Sequence, residues 1–321
     1  MPGGATPTET HHTMWPELSS AVRRGDARAI GRFIRAVDDR LPGAEEALDA
    51  LGGPRPTVVG ITGPPGAGKS TLLGRLAELW RPVGLVAVDP SSPFSGGALL
   101  GDRLRFSAVA REPGVQAVSL ASRGALGGLS RATEAAVRVL GAAGYPRVLV
   151  ETVGVGQSEV EVATLADVTC VVLVPGLGDG VQAMKAGLLE IADVFALNKA
   201  DRPGARRLAS ELDVAVDHIF ALRGVRPERV STEATAGRGV SELAASIDRA
   251  VAQAALLDPR ERARRRLFAL ALDALHDRLA ATPGEPFVDS VVGGRSGPYA
   301  AARAWAEAAM AEYPGRDTPG A

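Results

Sequence analysis

Val58-Val-Gly-Ile-Thr62, running into Gly63-Pro-Pro-Gly-Ala-Gly-Lys69-Ser70-Thr71, is the stretch whose reading decides the fold. A short apolar strand enters a turn of pattern G-x-x-x-x-G-K-[ST], and a helical stretch from Thr71 to Trp80 leaves it. Strand, glycine-rich turn and helix in that order form the context a phosphate-binding loop requires. Glycines let backbone N–H groups converge on an anion, and the positive end of the helix dipole favours negative charge there. The loop from Gly63 through Pro64, Pro65, Gly66, Ala67 and Gly68 to Thr71 is therefore expected to cradle phosphates. Lys69 would reach the β- and γ-phosphates and assist catalysis, and the Ser70 hydroxyl would ligate Mg²⁺.

Outward from this stretch, short apolar runs alternate with amphipathic ones: Val58-Ile61, Gly84-Val88, Val115-Leu120, Val148-Val150, Val168-Val174, Val194-Leu197 and Glu228-Ser231. Nearly continuous Val, Leu and Ile over three to seven residues is the pattern of strands buried on both faces by crossover helices. The expected architecture is α/β, a mainly parallel sheet sandwiched by helices in the manner of P-loop nucleotide hydrolases.

A second motif, Asn198-Lys199-Ala200-Asp201, follows the run Val194-Leu197 directly, at the carboxyl edge where open α/β sheets bind nucleotides. A carboxylate at Asp201 can accept from both the N1–H and the exocyclic amino group of guanine, and adenine offers neither pattern. The pair of motifs points to GTP and GDP rather than ATP.

Between them, Val148-Leu-Val-Glu151 ends an apolar run in an acid, with Gly154 three residues on. Glu151 is expected to hold Mg²⁺ directly or through water, and the Gly154 amide to sense the γ-phosphate ahead of a switch at Val155–Glu159. Gln157 reads either as a water-positioning group or as a solvated loop amide. Asp89 and Asp102 are further candidates near the metal, or else cap and turn acids.

Residue usage adds one pointer. Of 36 basic residues only Lys69, Lys185 and Lys199 are lysines, and Asn198 is the sole asparagine. In a chain that writes positive charge as Arg, a Lys suggests a position needing a compact ammonium on a flexible stem. Lys185 is thereby a candidate catalytic residue, the alternative being an ordinary exposed charge.

Composition bounds the rest. The 321 residues are 46% hydrophobic and 23% charged, with a formal net charge of −1, so ample core is available and no basic surplus points to nucleic acid or an anionic membrane. No leader with a basic segment and apolar run is evident, nor a run of membrane-spanning length, which leads to the expectation of a cytoplasmic protein. Cys170 sits in an apolar run and reads as buried, and four scattered histidines do not suggest a metal cluster. Residues 1–13 read as disordered, 14–54 as an N-terminal helical segment, 55–256 as the nucleotide domain and 257–321 as a C-terminal helical arm expected to serve dimerisation. In the arm, a Pro/Gly loop at Pro283–Pro286 precedes an alanine-rich helix near Tyr299–Ala311.

These motifs together resemble the MeaB/ArgK family of P-loop G proteins, which includes MMAA-like chaperones of methylmalonyl-CoA mutase. The resemblance rests on GITGPPGAGKST from Gly60, VAVDPSS from Val86 with SGGALLGDRLR from Ser95, SRGALGGLSRAT from Ser122, VLVETVGVGQSE from Val148, and PGLGDGVQAMKAG from Pro175 leading to LNKAD. It extends to AVRRGDARAI near the N-terminus and, more loosely, to the C-terminal arm. It implies a homodimeric GTPase chaperone that gates adenosylcobalamin loading, protection or reactivation of a cobalamin-dependent acyl-CoA mutase. It also places Lys185 in a loop, Pro175 to Lys185, through which the partner influences hydrolysis. Where the family usually has Ser-Ala in its last guanine-contacting loop, this chain reads Glu233-Ala234, so the backbone contact of Ala234 is retained and its support altered. The first switch reads Pro93-Phe94-Ser95 in place of a more polar stretch, and Arg103 stands where Lys is usual. Two other classes compete: a metallochaperone-type GTPase, which calls for Cys/His ligands, and a kinase, which calls for an acceptor pocket.

Overall fold

The computed structural model describes residues 7–89, 109–121, 131–152, 158–176, 186–256 and 259–311. Seven strands, β1 (Thr57–Thr62), β2 (Val83–Asp89), β3 (Val115–Ala121), β4 (Arg147–Thr152), β5 (Val168–Leu173), β6 (Val194–Leu197) and β7 (Glu228–Ser231), correspond one for one to the apolar runs. They form one parallel sheet in the order β3-β2-β4-β1-β5-β6-β7.

Alternation along each strand divides the core between the two faces of the sheet. Val58, Val86, Val88, Val148 and Val150 face one side, together with buried residues of α5 (Arg131–Ala142) and α6 (Ser158–Leu165). Val59, Ile61, Leu85, Ala87 and Leu149 face the other, against α4 (Lys69–Leu79) and α9 (Val240–Ala255). Over β5 and β6, Val171, Leu173 and Phe195 pack with α7 (Ala186–Glu190) and α8 (Ala205–Arg223). Burial on both faces is the reason the inner strands β1, β4, β5 and β6 are mainly apolar, whereas the edge strands β3 and β7 carry partly exposed polar positions such as Gln116 and Arg229.

The N-terminal segment is three helices, α1 (Pro7–Arg23), α2 (Ala27–Asp38) and α3 (Ala44–Leu51), whose apolar faces join the α5 side of the core. Asp26 caps α2 by accepting from the Ala29 N–H at 2.8 Å, after Gly25 in the left-handed region turns the chain. Ile30, Phe33, Ile34 and Val37 are buried, whereas Ala27, in the first turn, is exposed. Helix α1 starts at Pro7, inside the stretch read as disordered. Proline is tolerated in a first helical turn, and extending a packed helix backwards needs no new nucleus.

Contact density divides the chain into units of residues 1–263 and 264–321, the second beginning inside α10 (Pro259–Ala281). Within it, α11 (Glu285–Val292) and α12 (Pro298–Ala311) pack through Phe287 and Trp305, whose rings stack with centroids 6.4 Å apart. The Trp305 indole N–H donates to the Thr282 carbonyl at 3.1 Å. Helix α11 begins at Glu285, so the expected Pro283–Pro286 loop is shorter than its composition suggested; Pro286 serves as a helix-start residue. Among the described residues no helix is long and apolar enough to cross a membrane.

Candidate functional site

The carboxyl ends of β1, β4 and β6 lie at one edge of the sheet and carry the motif residues. Strand β1 delivers the chain into Gly63, whose φ is +139° and where a Cβ would lie 2.2 Å from the Val172 carbonyl oxygen of β5. Only glycine fits a backbone that passes so close to its neighbour. Gly68, at φ +88°, precedes the first residue of α4, and a Cβ there would lie 2.4 Å from the Asn198 side-chain nitrogen. The two glycines bracket a loop opening on a cavity of ≈ 590 Å³ lined by Gly66, Lys69, Ser70, Thr71 and Glu151, among others.

Within the cavity, Lys69 is buried and its ammonium donates to the Gly63 and Pro64 carbonyls at 2.7 and 3.1 Å. The Ser70 hydroxyl donates to Glu151 Oε1 at 2.8 Å. Glu151 lies level with Ile61 of β1 and Ala87 of β2, and at 4% exposure it is a buried acid at the foot of the phosphate loop. A hydroxyl and a carboxylate within 2.8 Å of each other, one turn from a phosphate cradle, form the oxygen donor set that hard Mg²⁺ prefers. The donor chemistry fits the cation.

Strand β6 delivers Asn198, which is almost fully buried and joins three segments. Its Nδ2 donates to the Ala67 carbonyl at 2.8 Å, while Oδ1 accepts from the Thr232 hydroxyl at 3.2 Å and the Ala234 N–H at 3.1 Å. Lys199, held at φ +55°, extends over the phosphate loop and donates to the Gly66 carbonyl at 2.7 Å. Asp201 is exposed beside them, as a base-reading carboxylate must be. The loop after β7 is closed by an ion pair between Glu233 and Arg238 and by the Glu233 N–H donating to the Arg238 carbonyl at 2.9 Å. Hydrogen bonding to Glu233 raises the Arg238 guanidinium above its usual pKa. Glu233 thus occupies itself with Arg238, and Thr232 and Ala234, 1% and 3% exposed, are the loop residues that touch the tetrad.

The fold therefore brings together the 63–71 loop, Glu151, Asn198, Lys199, Asp201, Glu233 and Ala234. Asp89 ends β2, level with Ala121 of β3. Its side chain, with Asp102, Gly154, Gln157 and Lys185, lies outside the described residues. Three side chains at the site were not anticipated: Thr232 and Arg238, described above, and Arg75 of α4. Arg75 Nε donates to the Ala234 carbonyl at 3.3 Å and Nη2 to the Thr235 carbonyl at 3.2 Å. Thr71, Gly74, Arg75 and Glu78 share one face of α4 and line the cavity, a stripe that only the folded structure identifies.

The family model described as methylmalonyl Co-A mutase-associated GTPase MeaB matches residues 30–284. A Pyrococcus abyssi protein named as a GTPase is 48% identical over 240 residues, covering 72% of this chain and 74% of that protein. GTPase ArgK of Escherichia coli is 35% identical over 239 residues, 69% of this chain and 71% of its own. The mitochondrial methylmalonic aciduria type A homolog of Mus musculus is 38% identical over 207 residues, 62% of this chain and 50% of its own. The crystal structure of an LAO/AO transport system kinase superposes with a TM-score of 0.63 over 96% of this chain and 100% of that one, at 23% identity, a likeness of fold.

Proposed function

Because the chain belongs to the methylmalonyl Co-A mutase-associated GTPase MeaB family and is a GTPase, we propose that its nucleotide cycle times the handling of a partner enzyme, an adenosylcobalamin-dependent acyl-CoA mutase. In this reading the protein gates loading of the cobalamin cofactor into the mutase, or protects and reactivates it. The observation that carries it is the assembled site, in which the phosphate loop, the Ser70–Glu151 pair and the guanine tetrad converge on one edge of the sheet. The family description and the name of the mouse relative favour the mutase as client.

The chemistry is attack of water on the γ-phosphate of GTP. Backbone amides of the 63–71 loop bind the phosphates, Lys69 neutralises charge that develops between them, and Asn198, Lys199 and Asp201 select guanine. Ser70 and Glu151 would hold Mg²⁺, which supplies charge stabilisation at the phosphates when bound. Gly154, Gln157 and Lys185 are proposed to couple the γ-phosphate and the partner to the switch segments, and Asp89 and Asp102 to support the metal. Hydrolysis by the free protein is slow. Among the described residues Arg75 is the arginine that lines the cavity, and it is committed to the Ala234 and Thr235 carbonyls rather than aimed at the phosphates.

We place this activity in the cytoplasm and in a homodimer formed through the C-terminal helices. Leu267, Phe268, Val292 and Tyr299, each at least 65% exposed, support an apolar surface in that unit suited to a second copy. The experiment is co-purification with candidate mutases in GDP and in a non-hydrolysable GTP analogue. Nucleotide-dependent capture of a cobalamin enzyme, with faster phosphate release in its presence, is the expected result. Equal GTPase rates with and without every mutase tested would overturn the proposed coupling.

A further inference from the structure

The loop after β7 carries the tetrad's support, and something must hold the loop. Thr232 and Ala234 both bond to Asn198 Oδ1, and the Ala200 N–H donates to the Thr232 carbonyl at 3.1 Å, so displacement of this loop displaces the tetrad. Ala234 and Thr235 turn their carbonyls towards α4, where a single guanidinium meets both. The third nitrogen of Arg75 is anchored by Glu78 on the same helix at 3.3 Å. A planar fork is suited to two successive carbonyls in a way a single ammonium is not.

These bonds close a ring. Helix α4 is joined through Arg75 to Ala234, through Ala234 to Asn198, through Asn198 to Ala67, and through the phosphate loop back to α4. Arg75 is the member of this ring with an exposed side chain, 42% accessible, whereas Ala234 and Asn198 are buried. It also lines the phosphate cavity.

We propose that Arg75 is a positioning residue for guanine selectivity, holding the Thr232–Ala236 loop so that the Asn198–Asp201 tetrad meets the base in one fixed orientation. Arg75 commits its guanidinium to the Ala234 and Thr235 carbonyls and to Glu78. It sets base affinity through Ala234 and Asn198 while the phosphate loop binds any nucleoside diphosphate. The proposal rests on the reading of Asn198–Asp201 as the guanine site.

The test measures GDP and ADP affinity of the full chain by fluorescence titration, for wild type, Arg75→Ala and Arg75→Lys, with thermal midpoints recorded alongside. Arg75→Ala is expected to weaken GDP about tenfold, the loss of a charged donor's hydrogen bonds, while ADP changes less than about twofold. Arg75→Lys, which keeps one donor for the Ala234 carbonyl, should recover part of the GDP affinity. A purely structural role would lower GDP and ADP affinity together, and that outcome, or no change in either, overturns the proposal while leaving the tetrad reading intact. A wild type with no preference for GDP over ADP overturns the tetrad reading, and this proposal with it.

Discussion

Asn198 donates to the Ala67 carbonyl at 2.8 Å across 131 residues of sequence, so one buried amide ties the guanine tetrad to the phosphate loop. The same amide's oxygen accepts from Thr232 and Ala234. The chain's only asparagine is therefore a joint between three loops, and the two motif segments it ties together cannot move independently.

Truncating that joint should cost both stability and binding. Asn198→Ala leaves the Ala67 carbonyl and the Ala234 N–H without their partner in a buried setting, which destabilises by about 1–3 kcal/mol. Chemical denaturation is expected to register that loss, with GDP affinity falling in parallel. Asn198→Asp should be at least as harmful, since it sets an acceptor against the Ala67 carbonyl. A denaturation midpoint equal to wild type for both would mean that the joint carries no load.

Two glycines three residues apart should respond differently to alanine. At Gly66 an added Cβ meets nothing within 4 Å, so the cost is that of φ +75°, about 1–2 kcal/mol. At Gly63 the Cβ would lie 2.2 Å from the Val172 carbonyl oxygen, which forces β1 and β5 apart. Gly63→Ala is expected to exceed about 4 kcal/mol or to prevent folding, an unusually large effect for one methyl group. Thermal unfolding of the two variants decides it, and equal midpoints would contradict the crowding.

The sheet was legible in the sequence because parallel strands buried on both faces leave few polar positions to blur the pattern; all seven apolar runs became strands. The phosphate loop and tetrad were legible for a related reason, since each is a local backbone construction with its own strand in front. Arg75 and Thr232 were not. Arg75 meets Ala234 across 159 residues, a contact set by where α4 and the β7 loop end up rather than by any local spacing. In a chain whose basic residues are nearly all arginine, its identity carried no signal. The Glu233–Arg238 pair and the bonds from Arg75 that hold the loop after β7 became readable only in three dimensions.

Glu151 offers a charge-specific test of metal binding. Glu151→Gln keeps an oxygen that accepts from Ser70 but removes the negative charge that a divalent cation requires. Phosphate release at saturating GTP is expected to fall about 10²-fold, in the range seen when one electrostatic group is lost from a transition state. The Mg²⁺ concentration at half-maximal rate should rise, and chelation should abolish turnover in wild type. An unaltered Mg²⁺ dependence in the variant would remove Glu151 from the metal site.

Cys170 gives a prediction whose sign follows from burial. Its thiol is fully enclosed in β5, and desolvation is the main cause that pushes its pKa up to about 12 from its ordinary 9.0. The folded protein therefore keeps a neutral thiol where the unfolded chain holds a thiolate. Below about pH 9 both states are protonated and the group leaves stability unchanged with pH. Between about 9 and 12 the unfolded state binds fewer protons, so stability falls as pH rises. Native protein at pH 8 should accordingly resist thiol-reactive dyes and react fully once denatured. Cys170→Ser, a thiol-free variant, should lose this group's contribution to the alkaline decline, measured as the denaturation midpoint between pH 8 and 10. Rapid labelling of the native protein at pH 8 would show that β5 opens far more readily than its burial implies.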